Sequence, residues 1–134
     1  MPADTEERPM AETGTEKMVI IATHGAEDLE RATFPFVVAN AALAMDVKAT
    51  VILQGGSAVM LAMKGASDHV FAPGLPPLSE LMASFRMQGG ELLLCTPCLK
   101  ERRIAPEQLI EGARPVAAAR VVQECLEATT TLNY

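Results

Sequence analysis

The chain reads as an α/β protein, a three-layer α/β/α arrangement around a five-stranded, mostly parallel sheet. Three observations predict it. Val19-Ile20-Ile21 and Leu92-Leu93-Leu94 are unbroken apolar runs closed by turn residues, the pattern of strands covered on both faces. Leu78, Leu81, Met82 and Phe85 recur at i, i+3, i+4 and i+7, the pattern of an amphipathic helix. Strand and helix patterns then alternate through the chain, as parallel β-α-β units with helices on both faces require.

Taken in order, Lys17 to Thr23 is the first strand, ended by His24-Gly25. Glu27, Asp28 and Glu30 place acids where a helix N-terminus favours them, ahead of a helix running to Met45. Pro35 leaves two ways to start it: Thr33 as N-cap, or an earlier turn kinked at the proline. Phe36, Val37, Asn40, Ala41 and Ala44 share one face at helical spacing. Val47 to Leu53 is the second strand, closed by Gln54-Gly55-Gly56, and Ser57 can cap a short helix reaching Lys64. Ser67 to Pro77 carries four residues of Pro or Gly and reads as a loop longer than most connections. The helix from Leu78 ends at Gly89-Gly90, and the third strand follows, ending on Cys95. Thr96-Pro97 stops that strand, and Pro97 suits the first turn of a helix, which puts Cys98 near a helix N-terminus. Arg114 to Ala117 is a short fourth strand, Ala119 to Ala128 a helix with Val121, Val122, Cys125 and Leu126 inward, and Thr129 to Asn133 an edge strand. A flavodoxin-like order, 2-1-3-4-5, is expected. It would bring His24, Gln54-Gly55-Gly56 and Cys95 to one rim, with the switch point between His24 and Cys95.

A length of 134 residues suits one domain, read as residues 17–134 behind an acidic, disordered tail of residues 1–16. Hydrophobic residues make up 49% and aromatics 4%, with no Trp, so the core must come from Leu, Val, Ile, Ala and Met. Mean hydropathy of +0.19 is high for a small soluble monomer and points to subunit contacts, hence a homo-oligomer. The tail carries −4 of the net charge of −6. The rest is nearly neutral, which argues against a nucleic-acid surface. No apolar run is long enough to span a bilayer, and the acidic opening has no basic n-region, so neither a membrane nor a secretory role is read. Three cysteines in a chain expected to be cytoplasmic would stay reduced and serve chemistry or packing.

Ligands in open parallel sheets bind at the carboxyl ends of strands, so Cys95 and Cys98 form the candidate centre. A Cys-x-x-Cys pair between strand and helix fits a dithiol redox pair. Zinc needs four ligands, and the pair with His24 leaves the set short, so no metal and no cofactor is expected. His24 either tunes a thiol or is a hydrogen-bonded loop residue; Gly55-Gly56 either cradles an anion or makes a tight turn. Lys100 and Arg102 can add positive charge near the thiols. Cys125, inward on a helix, reads as core. Met60, Met63, Met82 and Met87 fit packing faces better than a cofactor box.

Several of these stretches together resemble a known family. His24-Gly25 followed by Glu27 to Thr33, Ala39-Asn40-Ala41-Ala42, Ala72-Pro73-Gly74-Leu75-Pro76-Pro77-Leu78 and Cys95-Thr96-Pro97-Cys98-Leu99-Lys100-Glu101-Arg102 are similar to the DsrE-like (DsrE/DsrF/TusD-type) sulfur-relay family. The Cys-x-x-Cys-x-Lys-x-Arg stretch and the Gly-x-Pro-Pro loop look like a branch often labelled predicted peroxiredoxin; its pattern carries Gly where this chain has Arg103. The resemblance implies the three-layer fold, trimers or hexamers, and a strand-end cysteine carrying sulfane sulfur as a persulfide, which Cys95 matches. It also implies sulfur donors and acceptors such as rhodanese or TusA-like carriers. The alternatives are a thiol oxidoreductase using Cys95 and Cys98, or a binding module in which the thiols are incidental.

Overall fold

A computed structural model describes residues 16–134, so the segment read as a tail lies, apart from Glu16, outside the described residues. The strands are β1 (Lys17–Ala22), β2 (Lys48–Leu53), β3 (Glu91–Cys95), β4 (Ala113–Val116) and β5 (Thr130–Asn133). The helices are α1 (Leu29–Ala44), α2 (Gly56–Val59), α3 (Leu78–Met87), α4 (Thr96–Glu101) and α5 (Ala118–Glu127), with short 3-10 turns at Met60–Ala62, Ala66–His69 and Pro106–Gln108. All strand pairs are parallel, in the order β4-β3-β2-β1-β5.

The apolar runs do face both ways. Ile20, Val51, Leu53, Leu92 and Leu94 enter one core with α1, α3, Ala58 and Val59 of α2, and Leu99 of α4. Val19, Ile52 and Leu93, one residue out of phase with these, enter a second core with Val116 and with Val121 and Cys125 of α5. Among the described residues, helices therefore cover both faces, α1 to α4 on one and α5 on the other.

That distribution explains why the strand order departs from 2-1-3-4-5 and places β2, not β1, beside β3. Right-handed crossovers that share a face carry the chain in one direction across the sheet. The crossovers through α1, α3 and α4 all run over the first face, so β1, β2, β3 and β4 follow in sequence. The last connection uses α5 on the other face and so runs backward, past three strands, to lay β5 against the far side of β1. The reversal of direction therefore falls between β1 and β5, not between His24 and Cys95.

Local chemistry sets the element ends. Asp28, not Thr33, caps α1, its carboxylate accepting the Arg31 N–H at 3.1 Å. Pro35 sits inside α1 and is buried; the helix continues through it. The buried residues are Ala32, Thr33, Pro35, Phe36, Ala39 and Ala42, whereas Ala41 and Ala44 are exposed. Asn40 instead ties α1 to α3, its Nδ2 donating to the Leu81 carbonyl at 2.9 Å. Ser57 is not a cap: Gly55 holds that place with φ of 89°, a left-handed region that suits glycine. On α5, Val122 and Leu126 point to solvent at 57% and 81% exposure, and Glu124 is buried. Its carboxylate meets Lys17 Nζ at 2.6 Å and Arg120 Nε at 2.7 Å, so charge pairing joins the packing of Val121 and Cys125 in setting the roll of α5.

Arg103 follows the C-terminal end of α4 with φ of 55°. A side chain there costs roughly 1–2 kcal/mol, partly offset by the backbone entropy glycine would lose, about 0.5–1 kcal/mol. Arg103→Gly is therefore expected to raise stability by about 0.5–1 kcal/mol, read as a higher urea midpoint at unchanged slope. A lower midpoint would mean that the arginine side chain stabilises the fold in a way its exposure does not reveal.

Candidate functional site

Cys95 is the last residue of β3 and the N-cap of α4, a strand and a helix joined with no loop. The strand end is fixed by its register against Val116 of β4 and by the Thr96 hydroxyl, which donates to the Val116 carbonyl at 2.8 Å. Leu99, 4% exposed, anchors α4 in the first core. Cys98 is thus carried on the first turn of a pinned helix, with its Sγ in contact with that of Cys95 and the two Cα atoms 5.3 Å apart. That Cα separation lies within the span a disulfide bridges. The Cys98 N–H donates to Cys95 Sγ at 3.4 Å, and the Gly55 N–H donates to Cys98 Sγ at 3.2 Å. Each sulfur thus faces a backbone donor, an environment suited to anionic sulfur. Both side chains are partly buried.

The neighbouring loops close on this pair from one side. Gly25, after β1, is buried against the main chain of Ser57, and a Cβ there would overlap the Ser57 carbonyl. A Cβ on Gly56 would instead fall on the Arg102 guanidinium. The guanidinium thus lies over the Gly55-Gly56 turn, four residues along α4 from Cys98 and on the same helix face. Gly55, Gly56, Arg102, Cys95 and Cys98 are therefore brought together. Lys100 is exposed on α4 and joins no ion pair among the described residues.

His24 stands apart. With β2 between β1 and β3, two strand spacings of ~4.8 Å separate the β1 end from the β3 end. Its Nδ1 lies 3.3 Å from the Thr23 hydroxyl. It also neighbours Glu27, a rim residue not singled out from the sequence. Burial pushes the Glu27 carboxyl up, but N–H donors of Gly25 and Glu27, the Ser57 side chain and nearby His24 outweigh it and hold it below the ordinary carboxylate range. The Gly25 N–H donates to Glu27 Oε1 at 2.9 Å and folds the β1 loop back on itself, while the Ser57 side chain links Glu27 to α2. In the sequence this glutamate looked like one more first-turn acid; only a Gly two residues before it hinted at a folded-back turn.

Cys125 is a free thiol packed at the edge of the second core, on the sheet face opposite α4. Among the described residues no group of three or more His, Cys, Asp or Glu side chains is placed to hold a metal ion, and no helix is long and apolar enough to cross a membrane. A cavity of about 260 Å³ opens between α3 and the start of β3, floored by Phe36, Met82, Phe85 and Leu92 and rimmed by Arg86 and Glu111. It is at the amino end of β3, the length of the strand from Cys95, and so lies outside the thiol site.

Comparison with known proteins bears on the family and the fold. The sequence model described as the DsrE/DsrF-like family matches residues 16–134. The uncharacterized protein MJ0760 of Methanocaldococcus jannaschii is 31% identical over 131 residues, covering 98% of this chain. The chain spans 44% of that relative's length. The crystal structure of the ychN protein from E. coli superposes with a TM-score of 0.64 at 20% identity, over 89% of this chain and 99% of that one. The protein of unknown function MTH1491 from Methanobacterium thermoautotrophicum superposes with a TM-score of 0.71 at 15% identity, over the same shares, 89% and 99%. At these identities the two structures speak for the fold.

Proposed function

The chain belongs to the DsrE/DsrF-like family, and from that premise and the thiol geometry we propose that it accepts sulfane sulfur on Cys95 and passes it to a partner protein. Membership supports a DsrE-type, sulfur-relay role in general. The observation that carries the finer reading is the placement of Cys95: a partly buried thiol at the carboxyl end of a central strand, with a backbone N–H aimed at its sulfur. A persulfide there, RS–S⁻, would find donors in the same turn and cationic charge from Arg102 over the neighbouring glycines. The bond that forms joins Cys95 Sγ to the outer sulfur of a polysulfide or persulfide donor. The bond that breaks frees the donor's thiolate. Delivery repeats the exchange with an acceptor thiol.

One observation favours a second reading. The contact between the Cys95 and Cys98 sulfurs suits a dithiol–disulfide oxidoreductase in which both thiols turn over and no sulfur is carried. Transfer separates the two. Reduced Cys98→Ser protein is loaded with polysulfide, desalted and mixed with a TusA-like acceptor protein, and both chains are weighed. The carrier reading expects ~32 Da to leave this chain and appear on the acceptor. A chain that takes up no sulfur, or keeps it in the presence of acceptor thiols, would contradict it.

A further inference from the structure

A carrier that hands sulfur to a partner needs a single thiol, yet here a second sulfur touches the first. Resting on the reading above, we propose that Cys98 discharges the Cys95 persulfide as hydrogen sulfide, which makes the chain a sulfane-sulfur reductase as well as a carrier. The contact is between the two Sγ atoms, so once Cys95 is loaded, the atom within reach of Cys98 is the inner sulfur of the persulfide. α4 fixes this approach: Cys95 caps the helix, Cys98 sits three residues along, and Leu99 buries the next position. The Gly55 N–H on Cys98 Sγ supplies a donor for an attacking thiolate. The Cα separation of 5.3 Å lets the product disulfide close without moving the backbone.

The step balances. The Cys98 thiolate attacks Cys95 Sγ, and a Cys95–Cys98 disulfide forms. The bond from Cys95 Sγ to the outer sulfur breaks, and its electron pair leaves on that sulfur, which takes a proton from water and departs as HS⁻. The two cysteines are oxidised by two electrons and the sulfane sulfur is reduced by two. An external dithiol reductant then returns two electrons and two protons and restores both thiols. Attack at the outer sulfur would merely move the persulfide to Cys98 and release nothing. Cys125, packed on the other sheet face, takes no part.

The test uses the full chain, reduced and desalted, as wild type, Cys98→Ser, Cys98→Ala and Cys95→Ser, each with an intact melting transition. Each is given one equivalent of sodium tetrasulfide; released sulfide and intact mass are followed with time. Wild type is expected to release about one sulfide per chain and to end ~2 Da below its reduced mass. Both Cys98 variants are expected to hold ~32 Da of extra sulfur and to release sulfide at least ~10-fold more slowly. If wild type keeps its extra sulfur as long as the Cys98 variants do, discharge by Cys98 is overturned while the carrier reading stands. If Cys95→Ser loads and releases as wild type does, both fall.

Discussion

Glu124→Gln is expected to lower Tm by ~10 °C, a loss of about 2–3 kcal/mol, in a residue on the sheet face opposite the Cys95–Cys98 pair. Glu124 is the buried charge of the second sheet face: its side chain is 4% exposed, and it meets Lys17 at 2.6 Å and Arg120 at 2.7 Å. Taking away one partner of a fully buried pair costs about 3–5 kcal/mol, because the other charge is left uncompensated. Lys17 and Arg120 keep 16% and 31% of their side-chain surface in water, which lowers the figure. Lys17 also reaches Glu127 at 3.5 Å, and Arg120 reaches Glu91 at 3.9 Å, so the cluster ties α5 to the starts of β1 and β3. A Tm change under ~2 °C would show that water screens the cluster despite its burial.

The same cluster sets a pH dependence. Burial pushes the Glu124 carboxyl up, but Lys17 and Arg120 outweigh it and hold it below its ordinary value near 4.5. Its stabilisation is therefore fully present above the unfolded-state value and is lost as pH falls through the lower, folded one. Lys17 is raised above its ordinary value near 10.5: burial lowers it, and Glu124 and Glu127 more than reverse this. Its share is full below the unfolded value and is lost as pH rises through the folded one. Melting curves from neutral pH downward should fall for wild type, while Glu124→Gln starts lower and falls less.

Gly25→Ala is the second large effect, expected to cost about 2 kcal/mol and to slow the reaction of the thiols. Gly25 is buried and its φ is not positive, so the cost comes from contact and not from backbone conformation. The new methyl would press on the Ser57 main chain, which cannot swing aside as a side chain can. Pushing Ser57 moves the turn that carries the Gly55 N–H away from Cys98 Sγ. Gly56→Ala is the control. The atoms nearest its methyl belong to the Arg102 guanidinium, the far end of a flexible side chain, so its cost should stay under ~1 kcal/mol. Equal urea midpoints for the two variants would show that Gly25 is not a fixed point of the rim.

These two sites also mark where sequence reasoning succeeds and stops. Strands such as Leu92-Leu93-Leu94 are legible because burial on both faces leaves a mark that needs no partner to interpret. The Cys95-Thr96-Pro97-Cys98 junction is legible for a similar reason: proline ends one element and starts the next within four residues. Strand order is not written locally. It depends on which face each crossover helix takes, and only α5 takes the second. On α5 the apolar period is a partial guide: Val121 and Cys125 face the core as expected, but Val122 and Leu126 do not, and the buried Glu124 answers to Lys17, far away in sequence. The Gly25–Ser57 approach and the Arg102 cover of Gly56 are likewise contacts between loops, with no signature in either loop alone.

The central claim is that Cys95 is the thiol that takes up sulfur. Two proteins test it most directly: Cys98→Ser/Cys125→Ser, which keeps only Cys95, and Cys95→Ser, which keeps the other two. Each is reduced, given polysulfide, digested, and its cysteine peptides weighed. The account expects ~32 Da on the peptide bearing Cys95 in the first protein and none on any peptide of the second. Extra sulfur on Cys98 or Cys125 in the second, with Cys95 unloaded in the first, would contradict it.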